Sequence, residues 1–197
     1  MRHYAQLPRA EIRAHFAAYC QARPKGAKFA HRACDGPAGS SPSMKWVNPP
    51  VAWMMHAGVP ALWEAAASMP GLTASPAHTP RIALEAYPGY LAHAVLGRQS
   101  YKADDRARQT PERHHARRHL INALLAGQHP MALALEAEPA QQQMLVDDPR
   151  GDALDSVLAL LQAAWAHQQH HAGHPCWGLP SDIDPLEGWI VGVPAPV

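Results

Sequence analysis

Residues 147–165, with the sequence DDPRGDALDSVLALLQAAW, contain the strongest helix signal of the chain and its densest group of acids. Apolar side chains recur there at the spacing i, i+3, i+4, i+7 and i+11, on Leu154, Val157, Leu158, Leu161 and Trp165. This stripe predicts an amphipathic helix from about Pro149 to His170, with one face buried in a core.

Prolines and glycines outside this stretch mark the ends of further predicted helices. These helices are expected over residues 9–22, 89–97 and 111–126. A fourth is expected to begin near Pro50, because proline fits a first helical turn, and to break at Gly58 and Pro60. Residues 34–50 and 69–80 are rich in proline, glycine and serine and predict loops.

Two short apolar segments are predicted as strands. Residues 81–87, RIALEAY, lie between two prolines, and residues 187–193, EGWIVGV, lie near the end of the chain. Helices combined with strands predict an α/β fold. We expect one domain over 1–197, with a helical and loop region at 1–79 and a strand and helix region at 80–197.

Composition excludes several classes of protein. A chain of 197 residues that is 47% hydrophobic can bury a core, and it lacks the run of 18 apolar residues that a membrane span needs. The three cysteines are widely spaced, without a C-x-x-C pair, which predicts a reducing compartment and thus the cytoplasm. A formal net charge of +1 gives no general attraction to nucleic acid.

The acids near the predicted last helix allow two interpretations. Asp152 and Asp155 are three residues apart and share one helix face, where a divalent cation with oxygen ligands would relieve their repulsion. Gly151, a poor helix former, suits a place that another group approaches closely. Alternatively, Asp148 and Pro149 form a helix cap and the acids favour the helix dipole. Glu85, at the end of a predicted strand, is either part of such a site or a solvated carboxylate.

A basic segment precedes these acids. Residues 98–118 carry seven Lys or Arg side chains and three acidic ones. Lys102 and Arg113 are candidates for phosphate contacts, with Tyr101 offering a face for base stacking. A solvated helix face explains the same charges equally well.

Histidines follow the predicted last helix, with Cys176 close behind. His167, His170, His171 and His174 include pairs at spacings of three and four residues, which can chelate a transition metal such as zinc. The alternative is a histidine-rich helix end that favours the negative end of the dipole. Zinc is therefore not the expected cofactor.

Several of these motifs, in the same order, resemble a bacterial family catalogued as domain of unknown function 429, which is predicted to be ribonuclease H-like. The motifs are Ala83-Leu84-Glu85-Ala86-Tyr87-Pro88-Gly89, Ser100-Tyr101-Lys102, Arg113, Gly151-Asp152-Ala153-Leu154-Asp155 and Glu187-Gly188-Trp189-Ile190. The resemblance extends back through residues 28–32 and 48–53. It implies a mixed sheet flanked by helices, and D-x-x-D in a last helix is also the pattern of Holliday-junction resolvases in that superfamily.

The resemblance also implies a function. Asp152 and Asp155 would be last-helix ligands of Mg²⁺ or Mn²⁺, with Glu85 as a strand-borne acid, and the ions would promote phosphodiester hydrolysis. Lys102, Arg113 and Arg32 would contact phosphate. The expectation is a divalent-metal-dependent nuclease, or an inactive fragment of one. The alternative is a non-catalytic module that binds nucleic acid or protein.

One departure from the family pattern concerns the first residues. Ribonuclease H-like folds begin with a β-hairpin whose first strand carries an essential aspartate. No strand is predicted in residues 1–79, and the only aspartate there, Asp35, lies in a glycine- and proline-rich stretch. The chain is therefore expected to correspond to the C-terminal two-thirds of such a domain, without the hairpin.

Overall fold

The structure, a computed structural model, describes residues 2–42, 51–72 and 81–195, and the regular structure within these ranges is helical. Pro50, where the fourth predicted helix is expected to begin, lies outside these ranges, and the described part of that helix starts at Val51. The helices are α1 (Arg2–Gln6), α2 (Arg9–Gln21), α3 (Asp35–Ala38), α4 (Val51–Glu64), α5 (Pro88–Leu96), α6 (Pro111–Leu125), α7 (Pro139–Asp147) and α8 (Asp152–His171), with a 3-10 turn at Arg106–Arg108.

The two predicted strands are not formed in the ranges that the structure describes. Their segments lie side by side but share a single parallel bridge, Glu85 to Ile190, in which the Val191 N–H donates to the Glu85 carbonyl over 3.0 Å. The ladder does not extend to Tyr87, because the Tyr87 N–H donates to a side chain on α8 instead. The fold is thus helix-rich, and the α/β, ribonuclease H-like prediction is not confirmed.

Helices α2, α5 and α6 confirm their predicted positions to within two residues. The start of α6 shows why: Pro111 occupies the first turn, and the Thr110 hydroxyl accepts a hydrogen bond from the Arg113 N–H. The predicted break in α4 is wrong, since the helix runs through Gly58 and Pro60. Proline there removes the single hydrogen bond to the carbonyl four residues earlier, which a helix of 14 residues tolerates.

The connection between α7 and α8 differs from its prediction. The sequence gives no strong apolar stripe over α7, so that helix was not predicted, and α8 begins at Asp152 rather than Pro149. Gly151 is the N-cap, with φ +72°. Asp148 still satisfies a free N–H at this helix end, because its Oδ2 accepts from Ala153 over 2.9 Å. The prediction that Asp148 is the N-cap and Pro149 the first helical residue is therefore wrong, because Gly151 occupies the N-cap, and Asp148 contacts the Ala153 N–H from the preceding turn.

Helix α8 contributes side chains to two hydrophobic clusters. The first packs α5, α6 and α7 against the N-terminal half of α8 and includes Leu91, Leu120, Leu124, Leu154 and Leu158. The second packs the segments that carry Cys34 and Ile190 against Ala166 of α8, and Tyr90 and Trp165 contact both clusters. This arrangement brings residues 32–38, 84–90 and 187–193 onto the helix that carries the predicted acids.

Across the described ranges, none of the helices combines the length and the apolar character that crossing a bilayer requires.

Candidate functional site

Arg32 is the centre of the first group of charges. Its Nη1 and Nη2 donate to the two carboxylate oxygens of Glu85 over 2.6 and 2.8 Å. The same guanidinium donates to Asp35 Oδ1 from Nε and Nη2, over 3.1 and 3.0 Å, and to the Glu187 carbonyl over 3.2 Å. One side chain therefore holds together three segments that are distant in sequence. We call Arg32, Asp35, Glu85 and Glu187 the Arg32 cluster.

Asp35 is the buried anchor of this cluster. It is fully buried and accepts hydrogen bonds from the Arg32 N–H over 2.8 Å and from the Ser40 hydroxyl over 2.8 Å. Burial alone would raise its pKa, but the Arg32 N–H, the Ser40 hydroxyl and the Arg32 guanidinium together lower the pKa below its usual value. The aspartate that the sequence places in a featureless loop is therefore an ionised structural group at the start of α3.

Glu187 completes the Arg32 cluster from the other end of the chain. Its carboxylate accepts the Ala33 N–H over 3.0 Å, and its carbonyl accepts from Arg32. The sequence places Glu187 in a family-like motif but assigns it no role. The contacts cross more than 150 residues, so spacing along the chain carries no signal for them.

Asp155, in the first turn of α8, is the centre of the second group. Its two carboxylate oxygens accept from the Tyr101 hydroxyl and from the Lys102 ammonium. The pKa of Tyr101 is raised, first by burial and then by its hydrogen bond to the Asp155 carboxylate, so Tyr101 holds its proton as a donor. Tyr101 is 7% exposed and does not offer the stacking face predicted for it. We call Tyr101, Lys102 and Asp155 the Asp155 cluster.

Arg117 fixes the backbone of Tyr101, and Gly151 leaves room for Tyr101 and Lys102 to approach the start of α8. Arg117 is buried, and its guanidinium donates to the Val146 carbonyl over 2.6 Å and to the Tyr101 carbonyl over 2.8 Å. A Cβ on Gly151 would lie 3.0 Å from the Lys102 Cβ and 3.2 Å from the Tyr101 ring. Glycine permits this approach, as expected for a helix start that another group contacts.

Tyr87 and Gln162 link the two clusters. The pKa of Tyr87 is raised, first by burial and then by the negative charges of Asp155 and Asp35, so one carboxylate of each cluster acts on it. Gln162, fully buried on α8, accepts the Tyr87 N–H over 3.0 Å and donates to the Val191 carbonyl over 2.9 Å. The Glu85 segment is thus fixed to the helix that carries Asp155, about two turns away.

The predicted metal ligands are not assembled into a closed site. Asp152 is exposed. The Asp155 carboxylate accepts from Tyr101 and Lys102, and the Glu85 carboxylate accepts from Arg32. Among the residues whose positions are described, no three His, Cys, Asp or Glu side chains lie close enough together to hold an ion. Glu85, Asp152 and Asp155 thus share one region of the molecule but do not converge on one point.

Four cations of the basic segment are engaged by other groups of the protein. Arg117 is buried, Lys102 binds Asp155, and Arg118 donates to the Gln143 side chain over 3.2 Å. Arg113 donates to the Arg108 carbonyl and, over 3.4 Å, to the Ser100 hydroxyl. Lys102 and Arg32, which were predicted to contact phosphate, therefore belong to the two clusters. Arg113, predicted for the same role, lies in a separate local network.

The histidines at the end of α8 form pairs rather than one centre. The Nε2 atoms of His167 and His171 are 3.1 Å apart, and His170 stacks on Trp177 with ring centroids 4.0 Å apart. His174 follows the end of the helix and is exposed. Of the candidate pairs at spacings of three and four residues, His167 and His171 are the pair whose ring nitrogens are in contact.

Comparison with known proteins finds no matching family model, curated protein or solved structure. The resemblance to the family of unknown function therefore stays a prediction that rests on its motifs.

Proposed function

We propose that the chain is a divalent-metal-dependent nuclease related to the ribonuclease H-like proteins, and that it hydrolyses phosphodiester bonds of nucleic acid at the Arg32 and Asp155 clusters. The observation that carries this proposal is the charge balance. Counting exposed Asp152, the two clusters contain five carboxylates and the two cations Arg32 and Lys102, which is a formal excess of three negative charges among these side chains. Such a surface attracts cations.

The donor chemistry fits Mg²⁺ or Mn²⁺. Proteins hold Mg²⁺ with one or two carboxylates, and water and substrate phosphates complete its shell. Asp152 and Asp155 supply two such carboxylates at adjacent positions of one helix face, and Asp155 is 25% exposed. Glu85 is 37% exposed and is the third candidate. When bound, the ion would activate a water molecule and stabilise the leaving oxygen.

The cations of the two clusters, Lys102 and Arg32, are the groups expected to bind the substrate phosphate. Lys102 and Arg32 each hold a carboxylate in the absence of substrate. When a phosphodiester binds, each cation can exchange its carboxylate for a phosphate oxygen, which leaves Asp155 and Glu85 free for a metal ion. Metal and nucleic acid are therefore expected to bind more tightly together than separately, because each takes one half of an ion pair.

The remaining residues keep these groups in place. Tyr101 keeps its proton and orients Asp155 through the hydroxyl, and Arg117 fixes the Tyr101 backbone. Gln162 fixes the segment that follows Glu85. Asp35 keeps the Arg32 guanidinium directed at Glu85. None of these four is expected to contact the substrate.

A second candidate function is a non-catalytic module that binds nucleic acid or protein. The observation that favours it is that both oxygens of Glu85 and both oxygens of Asp155 already accept hydrogen bonds from side chains. In that case the acids act only as structural bridges and helix caps.

The test is cleavage of labelled DNA, RNA, hybrid and junction substrates with millimolar Mn²⁺. Asp155→Asn and Asp152→Asn are expected to abolish cleavage, whereas Asp182→Asn, which removes an exposed acid elsewhere, should cleave like the wild type. Equal cleavage by Asp155→Asn would overturn the site. Binding of nucleic acid by the wild type without cleavage at any Mn²⁺ concentration would instead support the second candidate.

A further inference from the structure

We infer a second metal site, chemically distinct from the carboxylates, in which His167 and His171 bind one transition-metal ion at the end of α8. The inference does not depend on the proposed function, since it uses other residues and another class of ion. The expected ions are Zn²⁺, Ni²⁺ and Cu²⁺, which imidazole nitrogen suits, and not Mg²⁺, which requires oxygen ligands.

The separation of the two imidazoles carries the inference. His167 and His171 are four residues apart on one helix, their Nε2 atoms are 3.1 Å apart, and their ring centroids are 4.4 Å apart. Two nitrogens bound to a tetrahedral Zn²⁺ at about 2.0–2.1 Å lie about 3.3 Å from each other. The observed separation is therefore within a few tenths of an ångström of the one that a shared ion requires, and rotation of the two rings would direct both Nε2 atoms at that ion.

The contact between the two Nε2 atoms shows what the ion would replace. A hydrogen bond between them needs one ring to donate and the other to accept, so a single proton bridges the pair. A metal ion can take the place of that proton between the same two atoms. Both side chains are exposed, so water can fill the other coordination positions.

The end of α8 holds the pair in position. Backbone hydrogen bonds continue past the helix, from Ala172 to the Gln168 carbonyl over 2.9 Å and from Gly173 to the His170 carbonyl over 3.0 Å. The Trp177 ring stacks on His170 and lies 6.4 Å from the His167 ring. The helix C-terminus also carries partial negative charge, which favours a cation there.

The experiment is a titration of the untagged full chain with Ni²⁺ and Zn²⁺, followed by calorimetry and by tryptophan emission. Loss of an outer ligand contact alone lowers metal affinity about 10–100-fold. His167→Ala and His171→Ala are therefore each expected to lower the affinity for one equivalent of metal ion by at least about 10-fold. His174→Ala, in the same segment but outside the pair, is the matched control and should bind like the wild type.

Two further readouts decide the outcome. Ni²⁺ should raise the melting temperature of the wild type and of His174→Ala but not of His171→Ala, because the ion joins two positions of one helix turn. Quenching of emission by Cu²⁺ should decrease in Trp177→Phe if the ion binds beside that ring. Equal binding by the wild type and both pair variants, or competition by Mg²⁺, would overturn the inference.

Discussion

Asp35 shows at the scale of one residue how much of this region depends on buried charge. Its carboxylate is fully buried and is held by Arg32 and Ser40. Hydrogen bonds to a charged group contribute about 1.5–3 kcal/mol each, and Arg32 keeps Glu85 as a partner when the charge of Asp35 is removed. Asp35→Asn should therefore lower the free energy of unfolding by about 2 kcal/mol, measured by urea denaturation at neutral pH.

The same residue predicts how stability depends on pH. The pKa of Asp35 is lower in the folded chain than in the unfolded chain, where it is about 4. The stabilisation that the ionised carboxylate gives to the folded state is therefore fully present above pH about 4. That contribution is lost as the pH falls from about 4 through the lower folded pKa. The wild type should thus lose more stability than Asp35→Asn over this interval. Equal losses would show that Asp35 is not the group responsible, and Asp182→Asn is the control.

Individual residues also show how far sequence reasoning reached. Arg32 and Glu85 were predicted for separate tasks and contact each other, and so do Lys102 and Asp155. Their residue types and local motifs were sufficient to select them. Glu187, Arg117 and Gln162 were not selected, because their partners lie 16 or more residues away along the chain. Asp35 has the local partners Arg32 and Ser40, but helix α3, at whose start it lies, was not predicted.

At the scale of elements, the start of α8 depends on Gly151. Its φ of +72° is in the left-handed region, and a Cβ would meet Lys102 at 3.0 Å. Gly151→Ala should cost about 1–3 kcal/mol of unfolding free energy, from backbone strain and from displacement of Lys102.

Gly173→Ala is the matched control, because Gly173 follows the end of α8 with φ +90° and has nothing within 4 Å of its would-be Cβ. It should show only the backbone strain, about 1–2 kcal/mol. If the two substitutions cost the same in thermal or urea unfolding, the close approach of Lys102 contributes nothing.

The elements divide by how local their causes are. Helices α2, α5 and α6 were predictable because proline, glycine and apolar spacing act within one or two turns. The two predicted strands are not formed, because a strand needs a paired neighbour along its length. Residues 81–87 meet residues 187–193 at a single bridge. The Tyr87 N–H is taken by Gln162, and no local pattern indicates that.

At the scale of the whole molecule, α8 joins the two hydrophobic clusters. Leu158 is fully buried in the first, Trp177 and Trp189 pack in the second, and Trp165 contacts both. Because one helix serves both, the clusters should unfold together. Leu158→Ala should lower stability by about 3 kcal/mol, as is usual for a buried leucine. The same shift should be seen by circular dichroism and by tryptophan emission.

Leu160→Ala is the control for this prediction, because Leu160 is on the same helix but is 59% exposed. It should change the unfolding free energy by less than about 0.5 kcal/mol. Separate transitions by the two probes in Leu158→Ala would mean that the clusters are independent units.

The measurement that tests the central claim most directly is calorimetric titration of Mn²⁺ into the wild type, the Asp152→Asn/Asp155→Asn double variant and Lys102→Met. The account predicts millimolar or tighter binding by the wild type, loss of binding in the double variant, and tighter binding by Lys102→Met, whose side chain no longer competes for Asp155. Absent binding in the wild type, or equal binding in all three, would contradict a metal site at these carboxylates.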